Sequence, residues 1–376
     1  MKNRNLTLFY ISQSLAFTYF WLVIAIPYLL YRGMSPIQAF SLMSVYQLFG
    51  VFLEYPTGVI GDKYGYRAVT YLSNFLNLIA MLIMLLPGGY FLYLFGLLIL
   101  SLGNSFSSGN DMGILKSVSR NIKKDTANYN SLMDFVFFLS SVIGGFLGKI
   151  SYELALVVSG ICMFSANLPL YFIKTDAPQN KNPNSLISII KDSFKSLVNP
   201  TVKQLFIIVA LFGGYSFTIK SIFGSFGTVY HLDVAVIGII IGLGGLTRSI
   251  GGKLYAEFPK SNIVGLTILI GLSIILMGIF PGYYSVVSLM LLNQLFFGYL
   301  LSKIDGDIHD LASDHVRASL FSLKRLVMRL VASGYLALYG FAIGINQFTL
   351  MVYGTGVALI LGVILAWQYL TQRSAR

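Results

Sequence analysis

A chain of 376 residues that is 56% hydrophobic, with a mean hydropathy of +0.75, departs from the composition of a water-soluble fold. Only 11% of it is charged, against about 25% in soluble domains. The net charge of +12 suits nucleic acid only if the basic residues cluster, and the single cysteine, Cys162, excludes a disulfide framework and a thiolate metal site.

Apolar runs between polar breaks predict twelve helical spans, at 6–31, 37–61, 68–86, 90–110, 129–149, 152–173, 205–230, 234–254, 263–280, 284–304, 318–343 and 347–369. Each approaches the roughly 20 residues that a bilayer-crossing helix needs. Runs such as Phe91–Leu100 do not alternate as the strands of a transmembrane barrel do. The first run is long enough to span and lacks a small-residue cleavage site, so it counts as span one and not as a signal. With the N-terminus inside, most of the 26 Lys and Arg fall in loops on that side, and only Arg32 and Lys149 in loops on the other. Cytoplasmic loops carry such an excess. The basic charge is therefore topological: no nucleic-acid partner is expected, and both termini of a multi-pass chain face the cytoplasm.

Span two runs into Glu54-Tyr55-Pro56-Thr57-Gly58-Val59-Ile60-Gly61-Asp62-Lys63-Tyr64-Gly65-Tyr66-Arg67 before span three begins. Small Gly58 and Gly61 allow close helix approach, and Gly65 supplies the backbone freedom of a tight turn. The run resembles the loop signature of the major facilitator superfamily. Gly58, Asp62, Lys63, Gly65 and Arg67 match it, while Tyr66 departs from the first of its two closing basic positions. Glu54-Tyr55-Pro56-Thr57-Gly58 and, at span eleven, Arg317-Ala318-Ser319-Leu320-Phe321-Ser322-Leu323 are similar to segments of a bacterial, export-associated branch. The resemblance implies an all-α polytopic membrane protein of twelve transmembrane helices in two six-helix bundles. It also implies that Asp62 meets the positively polarised N-terminus of span eleven as a gate latch. Lys63 and Arg67 read as gate partners or as ordinary positive-inside anchors.

Two features of the family are missing. Leu97–Gly109 in span four carries no arginine, which proton-coupled antiporters of the family often have there. Ser140–Gly148 in span five keeps glycines but lacks the Gly-Pro pair of many drug antiporters.

The longest loop, 174–203, opens with the polar, proline-broken Pro178–Asn184 and reads as a linker. It separates an N-terminal bundle, 1–173, from a C-terminal bundle, 204–376. Ser185–Leu197 has apolar residues at helical spacing and reads as a membrane-surface segment. In the second bundle, Gly213-Gly214 with Gly224 and Gly227 makes span seven the expected broken helix, and Tyr215 and Phe217 join Tyr19, Trp21 and Tyr28 as cavity aromatics.

Ionisable residues within spans are functional candidates. Glu54 and Asp134 in the first half are proton-coupling candidates, because burial raises a carboxylate pKa toward neutrality; a structural ion pair is the alternative for each. Lys220, Arg248, Lys303, Lys324, Arg325 and Arg329 lie in the second half, where Asp305 is the acid. Lys303, Asp305 and Lys324 are close enough to helix ends to snorkel. Arg325 and Arg329 share a helix face, and Arg329 lies near mid-span. Lys220, Arg248, Asp305, Arg325 and Arg329 are thus candidates for substrate contact or for ion pairs between bundles. The excess of bases favours an anionic or zwitterionic substrate.

His231, His309 and His315 have no metal-ligand spacing, and no Walker loop is present, so neither metal, cofactor nor ATP is expected. No catalytic constellation appears, which argues against an enzyme. The expected protein is a monomeric secondary transporter in a bacterial plasma membrane, exporting a small organic solute in exchange for protons. The alternative is a flippase or exporter of a lipid-linked or anionic amphiphile without steep ion coupling.

Overall fold

The structure is a computed structural model that describes residues 2–174, 200–218, 232–258, 262–311 and 314–374. All regular structure among them is helical. The helices are α1 Lys2–Ala16, α2 Phe20–Tyr31, α3 Pro36–Tyr64, α4 Tyr66–Leu85, α5 Tyr90–Ser107, α6 Asn110–Val118, α7 Ile122–Ile150, α8 Tyr152–Ser165 and α9 Asn167–Tyr171. They continue with α10 Pro200–Ile208, extended by a π turn over Val209–Gly213, then α11 Val234–Glu257, α12 Ile263–Ile279, α13 Tyr283–Leu311, α14 Asp314–Gly344 and α15 Phe348–Ser374. Among the described residues, nine stretches are long and apolar enough to cross a bilayer. Three shorter apolar helices, Val202–Thr218, Ile263–Ile279 and Phe348–Ile364, stand at the places of spans seven, nine and twelve. The helical form follows from the solvent: hydrocarbon offers no hydrogen bonds, so each spanning backbone must satisfy its own.

Helices α3, α7 and α13 outrun the apolar runs that predicted them, because polar turns at the end of α3 and α13 and at the start of α7 stay helical beyond the hydrophobic stretch. Local chemistry sets several starts. Ser35 and Gln38 form a reciprocal box before α3: the Ser35 N–H donates to Gln38 Oε1 at 2.9 Å and the Gln38 N–H to Ser35 Oγ at 3.3 Å, with Pro36 as the first helical residue. Asn121, Ser151 and Asn262 cap α7, α8 and α12 with side-chain oxygens that accept backbone N–H groups.

Among the described residues three predicted spans are interrupted, span six only by the single turn residue Ala166 between α8 and α9. Span one breaks over Phe17–Tyr19, between α1 and α2. Span four breaks at Ser108 and Gly109, where Gly109 takes a left-handed φ of +85°. Span seven, the expected broken helix, instead keeps winding through a π turn at Gly213; Gly224 and Gly227 lie outside the described residues, as does the predicted linker from 175 to 199.

The chain packs as two units. The described residues within Met1–Met34, Val45–Leu186 and Phe223–Gly242 form the first, and those within Ser35–Ser44, Ile187–Ile222 and Leu243–Arg376 the second. In the first unit α4 packs on α5 and α8, and Phe9, Ile114, Leu115, Val118, Tyr129, Leu170 and Ile173 close an apolar cluster at the end where the chain begins. The start of α11 lies on α7 at backbone contact: a methyl added at Gly238 would stand 2.5 Å from the Ser141 carbonyl oxygen and 2.8 Å from Gly145 Cα. In the second unit α12 packs against α13 and α15. There the Ser44 hydroxyl, on the first turns of α3, donates to the Ser333 carbonyl of α14 at 2.8 Å.

Candidate functional site

The loop motif forms a compact turn. Helix α3 runs through the motif to Tyr64, and Gly65, at φ +94°, precedes the start of α4 at Tyr66. Side chains rarely adopt that φ, so the motif needs glycine there. Lys63 is exposed, with its ammonium 5.2 Å from the Tyr64 ring centroid. Arg67 turns back into its own unit and donates through Nη1 to the Ile173 carbonyl at 2.6 Å, tying the turn to the end of span six. Gly58 and Asp62 belong to α3, but their surroundings lie outside the described residues. Gly61 faces the Asn110 side chain at a spacing that leaves no room for a Cβ, so α3 and α6 meet there.

Of the two acidic candidates, Glu54 is buried on α3 and accepts a hydrogen bond from Ser108 Oγ at 3.0 Å. Ser108 is the residue at which span four breaks, so the carboxylate of span two holds that interruption. Asp134 lies on α7 and is exposed.

The basic candidates gather in the second unit. Arg248 of α11 is half-buried and donates through Nη2 to Ser216 Oγ, on the helical turn after the π segment. Lys324 of α14, buried, pairs with Asp305 of α13. Lys303 pairs with Asp307 one turn on, at 3.2 Å. Arg325 and Arg329 are half-buried on α14. Lys220 lies outside the described residues. Glycines fit the π turn against α14: methyls at Gly213 and Gly214 would stand 2.6 Å from Met328 Cγ and 2.5 Å from Val331 Cγ1. Tyr215, an expected cavity aromatic, is instead core, stacked on Phe297 with ring centroids 5.8 Å apart.

Several polar clusters escaped the sequence reading. Asp111 lies one residue beyond the predicted end of span four, yet α6 continues the helix past it, and Asp111 Oδ2 accepts from the buried Tyr129 hydroxyl at 2.8 Å. At the opposite end of the first unit Arg32 donates to the Leu85 carbonyl and to Tyr28 Oη, both at 3.0 Å, and faces Glu153 at 3.5 Å. A guanidinium at the carbonyl end of α4 satisfies groups that the helix leaves open. Lys149 and Asp233 pair at 2.7 Å between α7 and the start of α11. The Lys149 ammonium, together with the Ala235 N–H, holds the Asp233 carboxyl below the usual aspartate range. The spacing of neither pair reveals it, since the partners lie on different helices.

An uncharged cluster lies deeper in the same unit. Trp21 meets Tyr46 edge-on with ring centroids 6.3 Å apart. The Asn104 amide donates to Tyr46 Oη at 2.9 Å and accepts from Asn77 Nδ2 at 3.3 Å, and Ser101 donates to the Tyr46 carbonyl at 2.9 Å. Spans one to four thus share one chain of aromatic and amide groups.

The family model described as Major Facilitator Superfamily matches residues 6–335. No curated protein matches the sequence. Among solved structures, the nucleoside transporter NupG superposes with a TM-score of 0.76 at 15% identity, covering 98% of this chain and 99% of its own. A POT family transporter in complex with 5-aminolevulinic acid gives 0.74 at 17% identity, covering 97% and 95%. A bacterial homolog of the human lysosomal transporter Spinster, in an inward-facing and unoccupied conformation, gives 0.76 at 14% identity, covering 98% and 96%.

Proposed function

The chain belongs to the major facilitator superfamily, and from that premise we propose a secondary active transporter that carries a small anionic or zwitterionic organic solute by alternating access. It is a multi-pass membrane protein and a transporter, not an enzyme. In the reading proposed here it works as a monomer in a bacterial plasma membrane, with both termini cytoplasmic, and exports its solute against proton entry.

One observation carries the substrate class. In the second unit the span carboxylates Asp305 and Asp307 are engaged by Lys324 and Lys303, while Arg248, Arg325 and Arg329 add positive formal charge beyond those acids. Guanidinium remains charged at any physiological pH and suits a carboxylate or phosphate bidentately. A similar fold binds 5-aminolevulinic acid, itself a zwitterion at neutral pH, which supports the class without fixing the solute. Proton coupling draws support from Glu54, a buried carboxylate that holds the break in span four.

The test is uptake into proteoliposomes of purified protein under an imposed proton gradient, across matched anionic, neutral and cationic solutes. Anionic or zwitterionic solutes should accumulate, and Arg329→Gln should weaken their apparent affinity more than that of neutral analogues. Robust transport of a lipophilic cation, or equal loss across charge classes in Arg329→Gln, overturns the reading.

A further inference from the structure

We propose that Trp21, Tyr46 and Asn104 form a subsite for a neutral, planar, hydrogen-bonding part of the solute, of the chemical class of an aromatic carboxamide. The proposal rests on the reading of the chain as a solute transporter and adds which part of the solute the first unit holds.

The cluster lies at mid-depth. Trp21 is ten residues before the end of α2 at Tyr31, and Tyr46 ten residues after the start of α3 at Pro36, which places both about 15 Å from the same end of their helices. That is half of a hydrocarbon core of about 30 Å. The backbone supports an opening beside it. Span one loses its helical form over Phe17–Tyr19, two residues before Trp21 at the nearest, and these three residues are half-buried. Irregular backbone at membrane depth persists only where protein buries it or where it borders a cavity.

A network serving only to join helices would be sealed, and this one is not. Asn104 shares its face of α5 with Tyr93, Leu97 and Leu100, four to eleven residues away at helical spacing, and all three are 0% exposed. Asn104 itself is half-buried. The opposite face carries Phe91 and Phe95, 81% and 55% exposed. The open side of Asn104 therefore belongs to the protein interior and not to the lipid-facing surface. Tyr46, its bonded partner, is half-buried as well.

The second observation is a donor with nowhere to go. Trp21 is 1% exposed, and its indole Nε1–H has no hydrogen-bond acceptor among the described residues. Its backbone N–H is given to Ser159 Oγ at 3.1 Å, so the start of α2 is pinned and the indole is held in place. Buried donors are normally satisfied, and in a bilayer water cannot do it from outside. A solute acceptor completes the indole, and the half-buried Tyr46 ring, edge-on to it, gives way as the solute docks. The groups on offer are an indole donor, a phenol, an amide and two aromatic faces. All are uncharged, which selects a planar group with an acceptor edge over an ammonium or a carboxylate.

Trp21 also supplies the assay. The chain has two tryptophans, Trp21 and the exposed Trp367, so Trp367→Phe in lipid nanodiscs leaves Trp21 as the only indole. Its emission is titrated with benzamide, with benzoate and with cyclohexanecarboxamide. Benzamide should produce a saturable change, with each comparison probe weaker. Asn104→Leu should weaken benzamide by about tenfold, the equivalent of one neutral hydrogen bond. Tyr46→Phe, which keeps the ring, should weaken it less, and serves where Asn104→Leu does not fold. In uptake assays Trp21→Phe should weaken inhibition by benzamide and raise the apparent KM for the transported solute along with it. An emission unmoved by all three probes, equal response to the saturated and aromatic amides, or wild-type titration in both Asn104→Leu and Tyr46→Phe overturns the subsite and leaves the transporter reading standing. A saturable benzamide response in a protein that carries no solute supports the subsite and overturns the transporter reading.

Discussion

Two glycines on one helix should respond with opposite sign to the same substitution. Gly356 and Gly354 are two residues apart on α15, about 200° around the helix. A methyl at Gly356 would stand 2.7 Å from the Gly271 carbonyl oxygen and 2.8 Å from the Ile275 backbone nitrogen, both on α12. Ordinary contact begins at 3.4 Å, so α12 and α15 must separate by about 0.7 Å, and no side-chain rotation can relieve a backbone clash. Overpacking of this kind costs about 1–3 kcal/mol, set against the 0.5–1 kcal/mol or so that alanine contributes over glycine in a helix. Gly356→Ala should therefore destabilise by about 1–2 kcal/mol. Gly354 has nothing within 4 Å of its added methyl, so Gly354→Ala keeps the helix gain of about 0.5–1 kcal/mol without the clash. Thermal unfolding of the purified variants in detergent reads the difference, at about 2–4 °C per kcal/mol for a unit of this size. Shifts of the same sign, or a stabilised Gly356→Ala, would refute the packing argument.

Other substitutions test the proposed mechanism. If Asp62 latches the gate as the family resemblance implies, Asp62→Asn should abolish most transport while insertion survives, a charge at a helix N-terminus contributing up to about 2 kcal/mol; the check is accessibility of engineered cysteines on both faces in a Cys162→Ala background, and wild-type transport with unchanged accessibility counts against the latch. If Glu54 or Asp134 carries the proton, Glu54→Gln or Asp134→Asn should lose gradient-driven accumulation yet keep solute exchange; normal uphill transport in the double variant removes both. Asp233→Asn should lower the unfolding midpoint at low salt, and the difference should shrink as salt screens this exposed pair. Because Lys149 depresses the Asp233 carboxyl, the contribution is complete above the ordinary aspartate value of 3.8 and is lost as pH falls through the depressed one. Wild-type and variant melting curves should thus converge only in strong acid, and convergence near neutral pH would contradict the pair.

The spans were legible because hydrocarbon leaves a chain few options: a long apolar run becomes a helix. Their interruptions were not. Gly213 and Gly214 suggested a break, but in a membrane bundle small residues first serve close approach, and here they seat the π turn against Met328 and Val331. Phe17-Thr18-Tyr19 carries no glycine or proline, so nothing local marks the break in span one. The Trp21 N–H that the restarted helix leaves open is taken by a partner 138 residues away, the Ser159 hydroxyl. The Gly65 turn, by contrast, is a backbone requirement of one residue, and that is why a short motif reveals it.

Charge follows the same division between local and distant. Lys303 and Asp307 could be paired from their spacing on one helix, whereas the contacts of Arg248 with Ser216 and of Lys324 with Asp305 join different helices and need the fold. Arginine and lysine also differ in what burial does to them. A lysine in a low-dielectric site can shed its proton and become neutral, as desolvated lysines do. The arginine side chain cannot, because its charge is delocalised over the guanidinium. A field that no proton can switch off suits binding of an acid. In the proposed proton-coupled cycle the carrier is therefore a carboxylate elsewhere. Glu54 is the buried candidate, and its bond from Ser108 ties its protonation state to the break of span four.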